Sequence, residues 1–125
     1  MDSGTISLKK SENGSMRLYV FSPSKHDRLY QLQMETLSDR LPTLTDHQIT
    51  IAEVFEHENG HIGEDELGGD NCHGLRQQFH IMPGQFKVVL VSDSAVKLCA
   101  ESCISCEEVI MRIENKPLET RSSGF

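Results

Sequence analysis

The chain has 125 residues, 37% of them hydrophobic and 25% charged, with a formal net charge of -7. That is the size of a single domain with enough apolar surface for its own core. The acidic balance argues against nucleic acid as a partner, because a nucleic-acid binder needs a basic face to displace counterions. No apolar run approaches the roughly 18 residues of a membrane-spanning helix, so no membrane insertion is expected.

The N-terminal Met1-Asp2-Ser3-Gly4 lacks a leader pattern of basic, then apolar, then small residues. Taken literally, that gives a cytoplasmic chain; a domain cut from a longer secreted protein reads the same way. Residues 1–15 and 118–125 are rich in Ser, Gly and Lys and are expected to be tails around a domain over 16–117.

Residues 17–21 (Arg-Leu-Tyr-Val-Phe) read as the first strand, bounded by Gly14-Ser15 and Ser22-Pro23. Ser24 is positioned to cap the following helix, with Asp27 in its first turn favouring the positive dipole end. That helix is expected to run to about Leu41. Tyr30, Met34, Leu37 and Leu41 form its apolar stripe, widened by Leu29 and Leu32, and Pro42 ends it. Residues 49–55 are nearly all apolar or β-branched, the pattern of a strand buried on both faces in a parallel sheet. Strand, helix and strand at this spacing form a right-handed crossover.

Residues 56–70 hold four Gly, four Glu and two Asp and are expected to be a long acidic surface loop. A short helix over about 71–80, burying Leu75 and Phe79, exits through Met82-Pro83-Gly84. The run 85–91 is a buried strand, Asp93-Ser94 a tight turn, and Val96-Lys97-Leu98 starts the return strand. Ser105 then caps a final helix that stops before Pro117. Glu108 completes a capping box, Ile104 and Val109 a hydrophobic staple, and Val109, Ile110 and Ile113 face the sheet. A βαβ half followed by a helix and a ββα half is the layout of a thioredoxin-like, three-layer α/β/α sandwich. Such domains usually carry a redox cysteine pair after the first strand. Here that loop, Ser22-Pro23-Ser24-Lys25-His26, has no sulfur.

Two motifs are candidates for chemistry. His57-Glu58-Asn59-Gly60-His61 matches the zinc-protease pattern, which works only on a helix, where both His share a face and the Glu serves as general base. The central Asn59-Gly60 is a turn signal and the segment directly follows a buried strand, so His57, Glu58 and His61 are read as a decoy in a polar loop. Cys103-Ile104-Ser105-Cys106 is the other. Cys106 at a helix N-terminus is placed for thiolate stabilisation, which the neighbouring Glu107 and Glu108 oppose. The readings open for this segment are a catalytic dithiol, a structural disulfide among Cys99, Cys103 and Cys106, ordinary thiols, or a zinc site shared with Cys72 and His73. Lys25, His26 and Arg28 form a small basic cluster at a helix start. There is no P-loop, no G-x-G-x-x-G and no nucleophile elbow, and no cofactor is expected.

Several blocks resemble a known family in order and spacing. They are Leu18-Tyr19-Val20-Phe21-Ser22-Pro23, Tyr30-Gln31-Leu32-Gln33, Ile51-Ala52-Glu53-Val54-Phe55 and Leu75-Arg76-Gln77-Gln78-Phe79. Phe86-Lys87-Val88-Val89-Leu90-Val91, Val96-Lys97-Leu98, Glu107-Glu108-Val109-Ile110 and Pro117-Leu118 complete them. Together they resemble the P-DUDES domain, a peroxiredoxin-like module of secreted matrix proteins such as the sushi-repeat-containing and URB/Equarin groups. The resemblance implies a thioredoxin-like fold, an extracellular setting and roles in matrix assembly, cell adhesion and migration, with protein partners. It implies no settled enzyme activity and no catalytic residues. The chain departs from the family in its cysteine-rich segment 99–106 and its acidic segment 57–70. Pro83 lies three residues too early for the proline that precedes the third core strand of thioredoxins. The expectation is therefore a non-catalytic matrix-type binding module. The alternative is a thiol-disulfide oxidoreductase or peroxiredoxin-like enzyme using Cys103 and Cys106.

Overall fold

The computed structural model describes residues 16–92 and 95–113. The expected tails, the turn at Asp93-Ser94 and the helix stop before Pro117 lie outside these residues. Strand β1 (Met16–Ser22) is followed by helix α1 (Arg28–Ser38), helix α2 (Leu41–Asp46) and strand β2 (Ile49–Phe55). Next come short strands β3 (Gly60–Ile62) and β4 (Asp65–Leu67), helix α3 (Gly69–Gln78), strands β5 (Lys87–Ser92) and β6 (Ala95–Ala100), and helix α4 (Cys106–Ile113).

The six strands form one sheet in the order β4-β3-β2-β1-β5-β6. β1 runs parallel to β2, with Leu18 beside Ile51, and antiparallel to β5, with Leu18 beside Leu90. The central order β2-β1-β5-β6 with α1 joining the parallel pair is the expected thioredoxin-like layout.

β1 shows how the sequence builds two cores. Its side chains alternate between faces. Leu18 and Val20 join Leu37, Leu44, Val88, Leu90, Ile104 and Val109 under α1, α2 and α4. Tyr19 and Phe21 join Val54, Leu67, Cys72 and Ile81 under α3. On the second face Tyr19, Phe21 and Phe79 pack ring against ring, with centroids 5.0 to 5.7 Å apart. Leu18, Val20 and Phe21 are each fully buried, worth about 1.5–3 kcal/mol apiece in transfer free energy.

Four local expectations change. Asp27, not Ser24, caps α1: its carboxylate accepts from the Tyr30 N–H at 3.1 Å. Ser24 Oγ instead accepts from the His26 N–H at 3.1 Å, holding a turn just ahead of the helix.

The helix also ends early, at Ser38, and Pro42 opens α2 rather than closing α1. Proline fits the first turn because its missing N–H has no intrahelical partner there. With the chain turned at residues 39–40, Leu41 leaves the stripe and is exposed, as are Leu29 and Leu32. The inward face of α1 is Tyr30, Gln33, Met34 and Leu37.

Segment 56–70 is not simply a loop. Its middle is the β3–β4 hairpin, paired to β2 through Ala52 with Ile62 and Glu53 with His61. The turn is at Gly63-Glu64, where Gly63 takes φ 61°, as a two-residue hairpin turn requires of its first position. Gly60 is therefore a strand residue, not a turn residue. A Cβ there would lie 1.8 Å from the Glu53 carbonyl oxygen, so only glycine permits this close pairing.

Finally, α3 starts at Gly69. Leu75 and Phe79 are half-buried, while Cys72 and Arg76 are the buried residues of its inner face.

Candidate functional site

Three loops meet at the carboxyl end of the parallel strands, the usual place for sites in open α/β sheets. They are 23–27 after β1, 56–59 after β2, and 79–86 leading into β5. Their junction is polar and tightly bonded. The Glu56 N–H donates to the Ser22 and Pro23 carbonyls at 3.1 and 3.2 Å, and the His57 N–H to Pro23 O at 3.2 Å. The Glu58 carboxylate accepts from the Lys25 N–H at 2.6 Å. Glu56 Oε1 accepts from the Gly84 N–H at 2.9 Å and lies 3.7 Å from Arg76 Nη2 and 3.6 Å from His57 Nε2. Arg76 Nη2 also donates to the Met82 carbonyl at 3.1 Å. Glu56 thus joins all three loops.

The zinc-protease pattern does not fold as a helix. His57 and Glu58 lie in a bend, and His61 is on β3 opposite Glu53 and Glu66. With His57 before the strand and His61 inside it, the two imidazoles do not sit one helical turn apart. Among the described residues no group of three or more His, Cys, Asp or Glu is arranged to hold a metal ion.

The cysteine segment lies late in sequence but beside the early helix in space. Cys103 Sγ donates to the Leu29 carbonyl in the first turn of α1, at 3.3 Å. Ile104 is pinned to α1 by the buried Gln33 amide, at 2.9 and 2.8 Å. Ser105 Oγ accepts from the Glu108 N–H at 3.1 Å, so the expected cap of α4 forms. All four cysteines are free thiols, Cys72 and Cys106 buried and Cys99 exposed.

Burial pushes the Cys103 thiol above its ordinary value, and the Asp27 carboxylate adds to that. Burial also raises Cys106; Arg40 pulls the other way and Glu107 pushes up. Neither thiol has the depressed pKa of a reactive cysteine. Cys72 Sγ is turned to the Leu67 carbonyl at 3.7 Å, on the opposite face of the sheet from Cys106.

Sequence reasoning missed Glu56 and Arg76. Arg76 had a signal: Cys72, Leu75, Arg76 and Phe79 follow helical spacing, which puts a guanidinium on the inward face. What the junction offers chemically is recognition by fixed donors and acceptors.

The chain matches no curated protein. Solved structures similar to it include one described as the structure of a malarial protein, with TM-score 0.57, 14% identity, and coverage of 81% of this chain and 96% of that one. Another is the reduced 2-Cys peroxiredoxin of Plasmodium vivax, with TM-score 0.66, 11% identity, and coverage of 91% and 84% respectively. At these identities the likeness is one of fold, and it is the peroxiredoxin, thioredoxin-like fold that the strand order above describes. The profile of the domain of unknown function DUF4174 matches residues 8–122, so the chain belongs to that family.

Proposed function

We propose that this domain is a non-catalytic protein-binding module of the P-DUDES, extracellular-matrix type, acting in adhesion and matrix assembly. The observation that carries this reading is the state of the thiols. The loop after β1 holds no cysteine, Cys106 is buried, and both Cys103 and Cys106 are pushed away from the thiolate. The sequence blocks quoted above support the matrix setting. The hairpin supports a protein partner: Glu64, Asp65 and Glu66 are exposed in succession at its tip, an acidic surface suited to a basic one.

One observation favours the thiol-oxidoreductase alternative. Cys103 sits against the first turn of α1, next to the loop where this fold usually carries its redox pair. Alkylation separates the two readings. For a binding module, iodoacetamide labels Cys103 slowly below pH 8 and Cys106 only on unfolding, and the protein turns over neither insulin nor peroxide. Rapid labelling with turnover lost in Cys106→Ser establishes the enzyme instead. Pull-down from matrix extract with and without residues 60–67 tests the acidic contact, and fractionation of the expressed gene product tests the extracellular against the cytoplasmic setting.

A further inference from the structure

Helix α3 carries His73, Arg76 and Gln77 at i, i+3 and i+4, so the three share one stretch of helix surface. They line an open cleft of about 240 Å³ together with Glu56, Ile81 and Pro83. Arg76 is only 6% exposed. Its Nη2 is engaged by Met82 O and Glu56, but its Nη1, fully buried, has no hydrogen-bond acceptor among the described residues. An arginine cannot shed its proton to escape this position. A buried donor left unmet costs free energy that an incoming acceptor recovers.

We propose that this cleft binds a single carboxylate on a short aliphatic stem, with the Arg76 guanidinium as the cation that selects it. Four features set the class. A charged acceptor makes roughly twice as strong a bond to guanidinium as a neutral carbonyl does. Glu56 is an incomplete counterion: its Oε1 is already bonded to the Gly84 N–H, with His57 Nε2 also close. Its charge nevertheless disfavours a dianion such as phosphate. The volume lies below the roughly 300–1,000 Å³ of sites for drug-sized ligands, which suits an end group. Ile81 and Pro83 offer an apolar wall to the stem, and the exposed Gln77 amide adds a donor at the mouth. The carboxylate is that of a peptide C-terminus or of a small aliphatic acid. The site goes beyond the binding-module reading and does not depend on how the thiols behave, so each fails separately.

The test is a titration of the full chain followed by side-chain NMR of the arginine Nε–H groups. The probes are N-acetyl-Gly-Val with a free carboxylate, its C-terminal amide, and butyrate. Both carboxylates are expected to shift Arg76 and the Gly84 amide saturably, and the amide to shift neither. Gln77→Ala, at the exposed rim, is expected to weaken binding about fivefold, and Arg76→Lys at least about tenfold. Tighter binding of the peptide than of butyrate identifies a chain terminus as the source; equal binding identifies the small acid. Absence of saturable shifts, equal binding of acid and amide, or shifts centred away from Arg76 overturns the proposal. Because the shifts are read on the unaltered protein, the proposal remains decidable if Arg76→Lys does not fold.

Discussion

The side-chain amide of Gln33 grips the backbone of Ile104 on both sides. Its Nε2 donates to the Ile104 carbonyl at 2.9 Å, and its Oε1 accepts from the Ile104 N–H at 2.8 Å, across 71 residues of sequence. Gln33 is fully buried and Ile104 nearly so, so this is an interior bond pair fastening the last loop to the first helix. Replacing Gln33 with Leu keeps the volume and strands two backbone groups. A loss of about 2–4 kcal/mol is expected, read as a lower urea midpoint. The freed loop should also expose Cys103, and its alkylation should speed up.

The raised thiols make stability depend on alkaline pH. The folded state holds the Cys103 and Cys106 protons longer than the unfolded chain does. Their contribution is therefore complete below the ordinary thiol pKa of about 8.5 and is lost as pH climbs through the higher folded values. The urea midpoint of the parent should fall above about pH 8.5, and the fall should be shallower in Cys103→Ala and Cys106→Ala. A parallel decline in all three proteins would rule the thiols out as its cause.

Gly60 tests the hairpin. Alanine there drives its Cβ into the Glu53 carbonyl, which is backbone and cannot move aside alone. Gly60→Ala should release β3 from β2. Hydrogen exchange at Gly63, whose N–H donates to Ile51 O at 2.9 Å, should accelerate, while the β1–β5 amides keep their protection.

Tyr30 donates its hydroxyl to Glu53 at 2.7 Å and meets Phe55 edge-on with ring centroids 5.0 Å apart. Its phenol ionises later than free tyrosine, chiefly through burial and then through Glu53 and Glu58. Tyr30→Phe keeps the ring contact and removes the bond. The expected cost is about 1 kcal/mol in urea unfolding, together with loss of the late step in the alkaline near-ultraviolet titration.

The sequence made the long elements legible because each carries a period of its own. β1, β2 and β5 are runs of apolar and β-branched residues, and α4 announces itself through Ser105 and its staple. The hairpin was hidden because three-residue strands are too short to show alternation, and because Gly60, read as a turn, is a glycine demanded by close strand approach. The break in α1 was hidden because Pro42 marks a helix start and a helix stop equally well in isolation. The site was the least legible part. Glu56, Arg76 and Gly84 are distant in sequence and meet only once three loops converge, and the nearness of Cys103 to Leu29 depends on which face of the sheet α4 covers.

Strand β1, the first of the described elements, is also the middle of the finished sheet: its two neighbours are β2 and β5, one 33 residues along and the other beginning at Lys87. During synthesis, Leu18, Tyr19, Val20 and Phe21 leave the ribosome with both edges open. They stay half-paired until β5 has emerged, and a run this apolar and β-prone is what self-associates when left open. The interval between the emergence of Phe55 and that of Leu90 from the ribosome is therefore the time in which this run is most open to self-association, and slowed elongation across that interval should lower soluble yield more than slowing before Phe55 has emerged.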